Sequence, residues 1–204
     1  MIVIIDYKMG NLGSITNIIK KIGYTSIVSS DIETIAKADK LILPGVGSFE
    51  KAMENLKSLN LIEVLNEKVL IQKTPVLGIC LGMQLMTNFS EEGEVNGLGW
   101  IDANTVKFEL SNYSDLKIPH MGWNEVTFPQ PHFLCEDYHE QPRFYFVHSY
   151  FVRCAKEENI LIKTEFGNEF HSGIVKDNIM GVQFHPEKSH KFGMQLIKNF
   201  IEKC

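Results

Sequence analysis

Short, uninterrupted apolar runs alternate with helical periodicity in the N-terminal part of the chain, and this alternation constrains the fold most. The runs are Ile2–Ile5, residues 41–43 and Val76–Ile79. Apolar runs of this length without polar alternation are typical of strands buried on both faces. Apolar residues recur at helical spacing over residues 12–22 and 48–69. Strand–helix alternation predicts parallel βαβ units, so we expect an α/β fold with a mostly parallel central sheet flanked by helices.

The second half of the chain has a different pattern. Residues 95–150 carry aromatics and prolines with weak helical periodicity, which indicates short antiparallel strands and loops. A meander is predicted at Ile160–Phe166, residues 171–176 and residues 179–184, because good turn pairs separate these runs. A helix over residues 192–201 closes the chain. We therefore expect an antiparallel β extension in the C-terminal half.

Length and composition indicate one domain spanning residues 1–204, with no visible repeat or linker. A chain of 204 residues with 44% hydrophobic residues can bury a core without disulfide or metal staples. The formal net charge of −5 offers no basic excess, so nucleic acid is not an expected partner. No apolar run approaches the roughly 20 residues that cross a bilayer. The start also lacks a basic n-region, so we expect no membrane association and a cytoplasmic location.

Cys80 lies in a G-x-C-x-G pattern at residues 78–82, between a predicted strand and a predicted helix. Flanking glycines permit the sharp turn of a nucleophile elbow, and the N–H of Leu81 then points toward an oxyanion. A helix N-terminus also stabilises a thiolate. The alternative is a buried structural cysteine, which is the commoner role of this residue. The remaining cysteines form no C-x-x-C pair and are expected to be reduced thiols: Cys135, Cys154 and Cys204.

A nucleophilic cysteine needs a base and a group that orients that base, and His185-Pro186-Glu187 offers both. The residue before proline is extended, which places positions 185 and 187 on one face. The alternative is a loop histidine with an unrelated glutamate. The other histidines have no such partner and are assigned to surface or packing roles: His120, His132, His139, His148, His171 and His190. No H-E-x-x-H or C-x-x-C is present, so no metal is expected.

The glycine-rich residues 44–48 lack the third glycine of a dinucleotide-binding loop, and no phosphate-binding G-x-x-x-x-G-K-[ST] occurs, so no cofactor is expected. Two interpretations remain for this segment. It could lend a backbone N–H at Gly47 to an oxyanion hole, or form a tight turn before a helix that Ser48 caps.

Together, residues 78–84 and 181–187 resemble the triad-type, class I glutamine amidotransferases, in the right order and about 100 residues apart. Residues 44–49, 119–124, 146–150 and 187–189 are similar to one branch of that family, the glutaminase subunits of imidazole glycerol phosphate synthases, which serve histidine biosynthesis. The resemblance spans nearly the whole chain. It implies the class I amidotransferase fold and no cofactor.

The resemblance also implies a mechanism. Cys80 attacks the side-chain amide of glutamine, His185 transfers protons, and Glu187 orients His185. Backbone N–H groups at Gly47 and Leu81 hold the oxyanion.

The same resemblance implies how the substrate and a partner are held. Gln84, with the backbone at Ser149 and Tyr150, holds the amino-acid end of glutamine. Ammonia passes into a (β/α)8-barrel cyclase subunit, so the chain acts in a heterodimer, with Lys188 and Asn11 at the interface.

Two positions depart from the family pattern. Lys8 replaces the first glycine of Asp-Tyr-Gly-x-Gly-Asn, and a positive φ there costs on the order of 1 kcal/mol or more. The tail after residue 189 begins His190-Lys191, which is uncommon in this branch. Two alternative functions remain open: a paralogue that feeds ammonia to a cyclase-like partner for surface-sugar modification, and a non-catalytic binding protein on the same scaffold.

Overall fold

The computed structural model describes residues 1–109, 113 and 115–204. The N-terminal part alternates strands and helices: β1 (Ile2–Ile5), α1 (Leu12–Lys21), β2 (Ser26–Ser29), α2 (Ile32–Ala36), β3 (Lys40–Leu43), α3 (Phe49–Ser58), α4 (Leu61–Asn66), β4 (Val76–Ile79) and α5 (Leu81–Leu85). A π-helical turn, Glu67–Ile71, extends α4. The C-terminal part contains mostly strands: β5 (Phe89–Ser90), β6 (Val95–Asn96), β7 (Ala103–Lys107), β8 (His120–Glu125), β9 (Arg143–His148), β10 (Tyr150–Cys154), β11 (Ile160–Phe166), β12 (Asn168–Lys176), β13 (Ile179–Val182), then α6 (His190–Lys203).

The central sheet has the strand order β2-β1-β3-β4-β13-β12-β10-β7-β5-β6, and β11 pairs with β12. Neighbours from β2 to β13 are parallel, whereas β13 to β12, β12 to β10 and β10 to β7 are antiparallel. Strands β8 and β9 form a separate antiparallel pair. The predicted parallel sheet with an antiparallel extension in the C-terminal half is therefore confirmed.

Alternate residues of the buried strands face two apolar clusters, one on each side of the sheet. Val3 and Ile5 of β1 pack with the apolar faces of α3, α4 and α5. Ile2 and Ile4 pack with those of α1 and α6. Burial on both faces explains why these strands are continuous apolar runs rather than alternating ones.

Two elements, β2 and α2, are not predicted by the sequence patterns. Strand β2 lies at the sheet edge with Ile27 and Val28 exposed, and α2 has five residues, so neither has a strong periodic signal. The last strand of the predicted meander is also shorter than expected. It ends at Val182 and pairs in parallel with β4 as well as antiparallel with β12. This double pairing places the chain after β13 beside the end of β4.

The loops that follow β1 and β3 are shaped by local backbone requirements. Lys8 has a φ of 65°, so the strain expected from the missing glycine is present. Asn11 caps α1 by accepting a hydrogen bond from the N–H of Ser14 at 3.3 Å. Ser48 caps α3, as predicted, by accepting from the N–H of Lys51 at 3.2 Å. Within the described residues, no helix has the length and apolar character needed to cross a membrane.

Candidate active site

A cavity of about 340 Å³ opens where the loops after β3, β4 and β13 meet β9 and β10. Ligands of open α/β sheets bind at this position, outside the carboxyl ends of the strands. The cavity lining contains most of the residues selected from the sequence: Gly47, Cys80, Leu81, Gln84, Ser149, Tyr150 and His185. These residues are far apart in the sequence and come together only through the sheet order.

Cys80 lies on a strained turn between β4 and α5. Its φ of 54° and ψ of −110° are unusual for a residue with a side chain, and such conformations cost about 1–3 kcal/mol. The N–H of Cys80 donates to the carbonyl of Val182 at 2.8 Å, which fixes the turn to β13. A methyl group on Gly82 would lie 1.8 Å from the carbonyl oxygen of Leu43. A methyl group on Gly78 would lie 2.7 Å from the backbone nitrogen of Met83, so the G-x-C-x-G pattern follows from close packing of α5 on the sheet.

His185 and Glu187 form a buried pair beside Cys80. The Nδ1 of His185 lies 2.8 Å from Oε1 of Glu187, and both side chains are only 2% exposed. His185 is extended, as expected before proline, but the chain then enters a 3-10 turn at Pro186–Lys188. The pair is therefore formed by this turn and not by alternation along a strand, which corrects the expected geometry while leaving the two groups together.

The surroundings of His185 favour its charged form. Burial alone disfavours the imidazolium, but the interactions of the ring with Cys80 and Glu187 outweigh it and raise the pKa of His185 to about 10. The Nε2 atom is buried, and among the described residues no protein group satisfies its hydrogen-bond geometry. His185 can therefore exchange a proton with a group in the cavity while Glu187 holds Nδ1.

The side-chain nitrogen of Gln84 makes its hydrogen bonds to other groups of the protein. Its Nε2 donates to the carbonyl of Tyr150 at 3.0 Å and to Oε1 of Gln183 at 3.1 Å. Gln183 in turn donates from Nε2 to the sulfur of Cys80 at 3.6 Å. Gln183 has no local sequence signal of its own, because a glutamine two residues before a histidine has no distinctive spacing. Contact with the sulfur becomes visible only in three dimensions.

Two further residues of the cavity are also missed by sequence reasoning. Glu92 lines the cavity, and its Oε2 accepts from the N–H of Phe49 at 3.0 Å. His148, which the sequence patterns assign to a surface or packing role, also lines the cavity, with Nδ1 2.8 Å from the carbonyl of Tyr150. Neither residue has a neighbouring sequence partner that could reveal its position.

Asn11 and Lys188 lie outside this cavity. Asn11 is an exposed helix cap, and the exposed Lys188 places its Nζ 5.5 Å from the ring centre of Tyr145. Lys188 and Glu187 line a neighbouring cavity of about 250 Å³ together with residues of α1. Lys188 thus lies near the buried His185–Glu187 pair, whereas neither Asn11 nor Lys188 lines the cavity that holds Cys80.

Comparisons with known proteins bear on the family and the fold. A family model described as glutamine amidotransferase class-I matches residues 3–204. The chain is 62% identical over 204 residues to imidazole glycerol phosphate synthase subunit HisH 2 of Methanococcus maripaludis, covering 100% of both chains. It is 48% identical over 202 residues to the subunit HisH 2 of Pseudomonas aeruginosa, covering 99% of both chains.

Solved structures show the same architecture. A crystal structure of a glutamine amidotransferase superposes with a TM-score of 0.74 at 15% identity, covering 98% of this chain and 97% of the other. The structure of PurLQS from Thermotoga maritima gives a TM-score of 0.72 at 13% identity, covering 99% of this chain and 97% of the other. At these identities the likeness concerns the fold alone.

Proposed function

This chain belongs to the glutamine amidotransferase class-I family, and on that premise we propose that it hydrolyses glutamine to glutamate and ammonia through Cys80, His185 and Glu187. The observation that carries the proposal is the buried His185–Glu187 pair at 2.8 Å, beside a cysteine on a strained strand-to-helix turn. A decayed, non-catalytic relative would have no reason to retain all three groups.

The chemistry follows from this arrangement. The thiol proton of Cys80 passes to Nε2 of His185, and the sulfur attacks the side-chain amide carbon of glutamine. Backbone N–H groups of Leu81 and Gly47 hold the oxyanion of the tetrahedral intermediate. His185 returns the proton to the departing ammonia, leaving a thioester on Cys80. Water, deprotonated by His185, then attacks the thioester and releases glutamate.

The cavity also has groups that suit the amino-acid end of glutamine. Gln84 keeps its nitrogen in internal hydrogen bonds, so its carbonyl oxygen is the atom we assign to the substrate's α-ammonium. The Glu92 carboxylate in the cavity lining adds a charge of the required sign. We assign the α-carboxylate of the substrate to the backbone N–H groups at Ser149 and Tyr150, since both residues line the cavity.

We further propose that the ammonia passes to a (β/α)8-barrel cyclase subunit, which builds imidazole glycerol phosphate in histidine biosynthesis. This proposal is supported by full-length relatives that carry the imidazole glycerol phosphate synthase name at 62% and 48% identity. The chain would act as a single domain, residues 1–204, in a cytoplasmic heterodimer, with Lys188 and Asn11 at the interface. The same names do not favour the surface-sugar alternative.

Replacing the nucleophile tests the proposal. In the complex with a barrel partner, Cys80→Ala should abolish glutamate release from glutamine, because no other group can form the thioester. Synthesis from added ammonia should persist, because the acceptor site lies on the other chain. Cys154→Ala is the matched control, since this second buried cysteine does not line the cavity. Glutamine hydrolysis that survives in Cys80→Ala, or loss of both activities in a folded complex, would contradict the assignment.

A further inference from the structure

A continuous network of hydrogen bonds runs from strand β8 to strand β10, whose residue Tyr150 lines the cavity that holds Cys80. Asn124 of β8 contacts Nε2 of His120 through its Nδ2 at 3.2 Å. The Nδ1 of His120 lies 3.0 Å from Nε2 of His148, and the Nδ1 of His148 lies 2.8 Å from the carbonyl of Tyr150. Both histidines are buried, at 4% and 7% exposure. The network therefore links the separate two-stranded sheet to the cavity through two buried rings.

The network of hydrogen bonds continues from the Tyr150 carbonyl to the sulfur of Cys80. The Tyr150 carbonyl also accepts from Nε2 of Gln84 at 3.0 Å, and the same nitrogen donates to Oε1 of Gln183 at 3.1 Å. Gln183 is fully buried and donates from Nε2 to Sγ of Cys80 at 3.6 Å. Every contact thus has one donor and one acceptor.

The donor-to-acceptor direction of this network is fixed at the Tyr150 carbonyl, which can only accept hydrogen bonds. Gln84 must present its NH₂ group to this oxygen, and the second hydrogen of that group must find an acceptor. Oε1 of Gln183 is that acceptor, so the NH₂ group of Gln183 faces the sulfur. Reversing either amide would bring two donors or two acceptors together in a buried place, which is strongly unfavourable.

The two histidines are compatible with this direction because they are neutral. Burial lowers the pKa of His120 to about 4. Burial, opposed by the hydrogen bond to Tyr150, lowers the pKa of His148 to about 3. A neutral His148 that donates from Nδ1 must accept at Nε2, and His120 then donates from Nδ1 and accepts from Asn124 at Nε2. With this one tautomer of each ring, every hydrogen bond in the network has a donor and an acceptor.

We propose that Gln183 is a further catalytic residue, which donates a hydrogen bond to the Cys80 thiolate, and that His148 and His120 are positioning residues. They hold the Tyr150 carbonyl in place, and this carbonyl, through Gln84, keeps the amide of Gln183 in the donating orientation. This inference rests on the proposed function, since it takes Cys80 as the nucleophile. A donor aimed at sulfur favours the thiolate over the thiol, and it keeps the sulfur in place after the proton has moved to His185.

Among the described residues, four titratable groups interact with Cys80 or line its cavity. His185 follows β13 and Tyr7 follows β1, where the charge on Cys80 helps raise the pKa of Tyr7 after the larger effect of burial. His148 and Glu92 line the same cavity. Because changes at Gln183 leave these groups in place, a changed ionisation of Cys80 in such variants reports the loss of the amide donor.

Alkylation of the full chain by iodoacetamide across a pH series tests the proposal. The rate at Cys80 is followed by peptide mass spectrometry, with the exposed Cys204 as an internal reference. Gln183→Leu should raise the midpoint of the Cys80 profile by about one pH unit, because hydrogen bonds to charged groups are among the stronger ones. Gln183→Glu keeps the side-chain shape without an N–H when ionised, and should raise the midpoint at least as far.

Control variants separate this effect from general loosening of the fold. Asn199→Leu removes another buried amide, which bonds the carbonyls of Leu134 and Glu136, and should leave the midpoint unchanged. An unchanged midpoint in both Gln183 variants overturns the catalytic assignment.

A second pair of variants tests the positioning residues. His148→Phe, which removes the donor to Tyr150, should raise the midpoint by less than Gln183→Leu. His148→Asn places a donor near the position of Nδ1 and should restore the wild-type midpoint. Equal midpoints for His148→Phe and the wild type overturn the positioning role. Alkylation reports the thiolate whatever the natural substrate is, so failure here is distinguishable from failure of the glutaminase proposal.

Discussion

At the scale of single residues, the ionisation of His185 depends on Cys80 as much as on Glu187. Burial opposes a charge on the ring, and both neighbours must act to raise its pKa to about 10. Cys80→Ala removes one neighbour and leaves the burial unchanged, so we expect the pKa of His185 to fall. Titration of the ring by NMR checks this, with His171 as the control ring, because its pKa depends on burial and on Lys163, Glu169 and Arg153. An unchanged pKa would show that Glu187 alone holds the charge.

The same variant should change how stability depends on pH. A histidine whose pKa is raised above its ordinary value of 6.5 stabilises the fold below that pH, and this contribution is lost as pH rises toward about 10. Wild-type protein should therefore lose stability across this window, and Cys80→Ala should lose less. Denaturant unfolding at pH 6 and pH 10 measures the difference.

Residue patterns in the sequence predict the members of the candidate triad but not their surroundings. Cys80 lies in a symmetrical glycine pattern, and His185 has its carboxylate two positions away, so both carry local signals. Gln183, Glu92 and His148 reach the cavity only because strands distant in the sequence become neighbours. Such residues have no local signal, since their role depends on what the fold places opposite them.

At the scale of elements, the elbow depends on the close approach of α5 to β3. A methyl group on Gly82 would lie 1.8 Å from the Leu43 carbonyl oxygen, so one of the two elements must move. We expect Gly82→Ala to destabilise the protein by about 3 kcal/mol or more, in the upper range for overpacked cores. It should also lower glutaminase activity, because Cys80 is the N-cap residue of the same helix.

Gly13 provides the matched control, since it lies in α1 with nothing within 4 Å of an added methyl group. Gly13→Ala should stabilise the protein by about 0.5–1 kcal/mol through helix propensity. Denaturant unfolding of both variants measures these changes. Equal effects at the two glycines would contradict the packing explanation for the elbow.

Elements with strong periodicity are predicted from the sequence and weakly patterned ones are not. Strands β1, β3 and β4 are buried on both faces and give continuous apolar runs, whereas β2 is exposed at the sheet edge. The pairing of β13 could not be predicted, because its run is compatible with a simple meander. Its parallel contact with β4 is decided by the whole sheet, and this contact brings His185 to Cys80.

At the scale of the whole molecule, the glycine-rich segment that starts at Pro44 is fixed at one end and open at the other. The hydroxyl of Tyr7 bonds the Pro44 carbonyl, and the buried Gly45 packs so closely that an added methyl group would lie 2.9 Å from Cβ of Leu81. Gly47 is exposed, has a φ of 104°, and is approached by the Met9 side chain. The exposed glycine at position 47 thus gives its peptide a conformational freedom that the packed Pro44 and Gly45 lack.

This asymmetry predicts that the isolated chain is a poor glutaminase and that the complex with bound acceptor is a much better one. Met9 precedes the proposed interface residue Asn11 by two positions, so contact with a partner can reorient the segment and turn the Gly47 N–H toward the oxyanion. One missing oxyanion donor lowers kcat by roughly 10²–10³, which is large enough for a switch that spares glutamine when no acceptor is present. Glutamate release should be measured for the chain alone, with the barrel partner, and with partner plus acceptor ligand. Equal kcat in all three states would reject the switch but leave the roles of Cys80, His185 and Glu187 intact, because a permanently formed oxyanion hole needs the same three side chains.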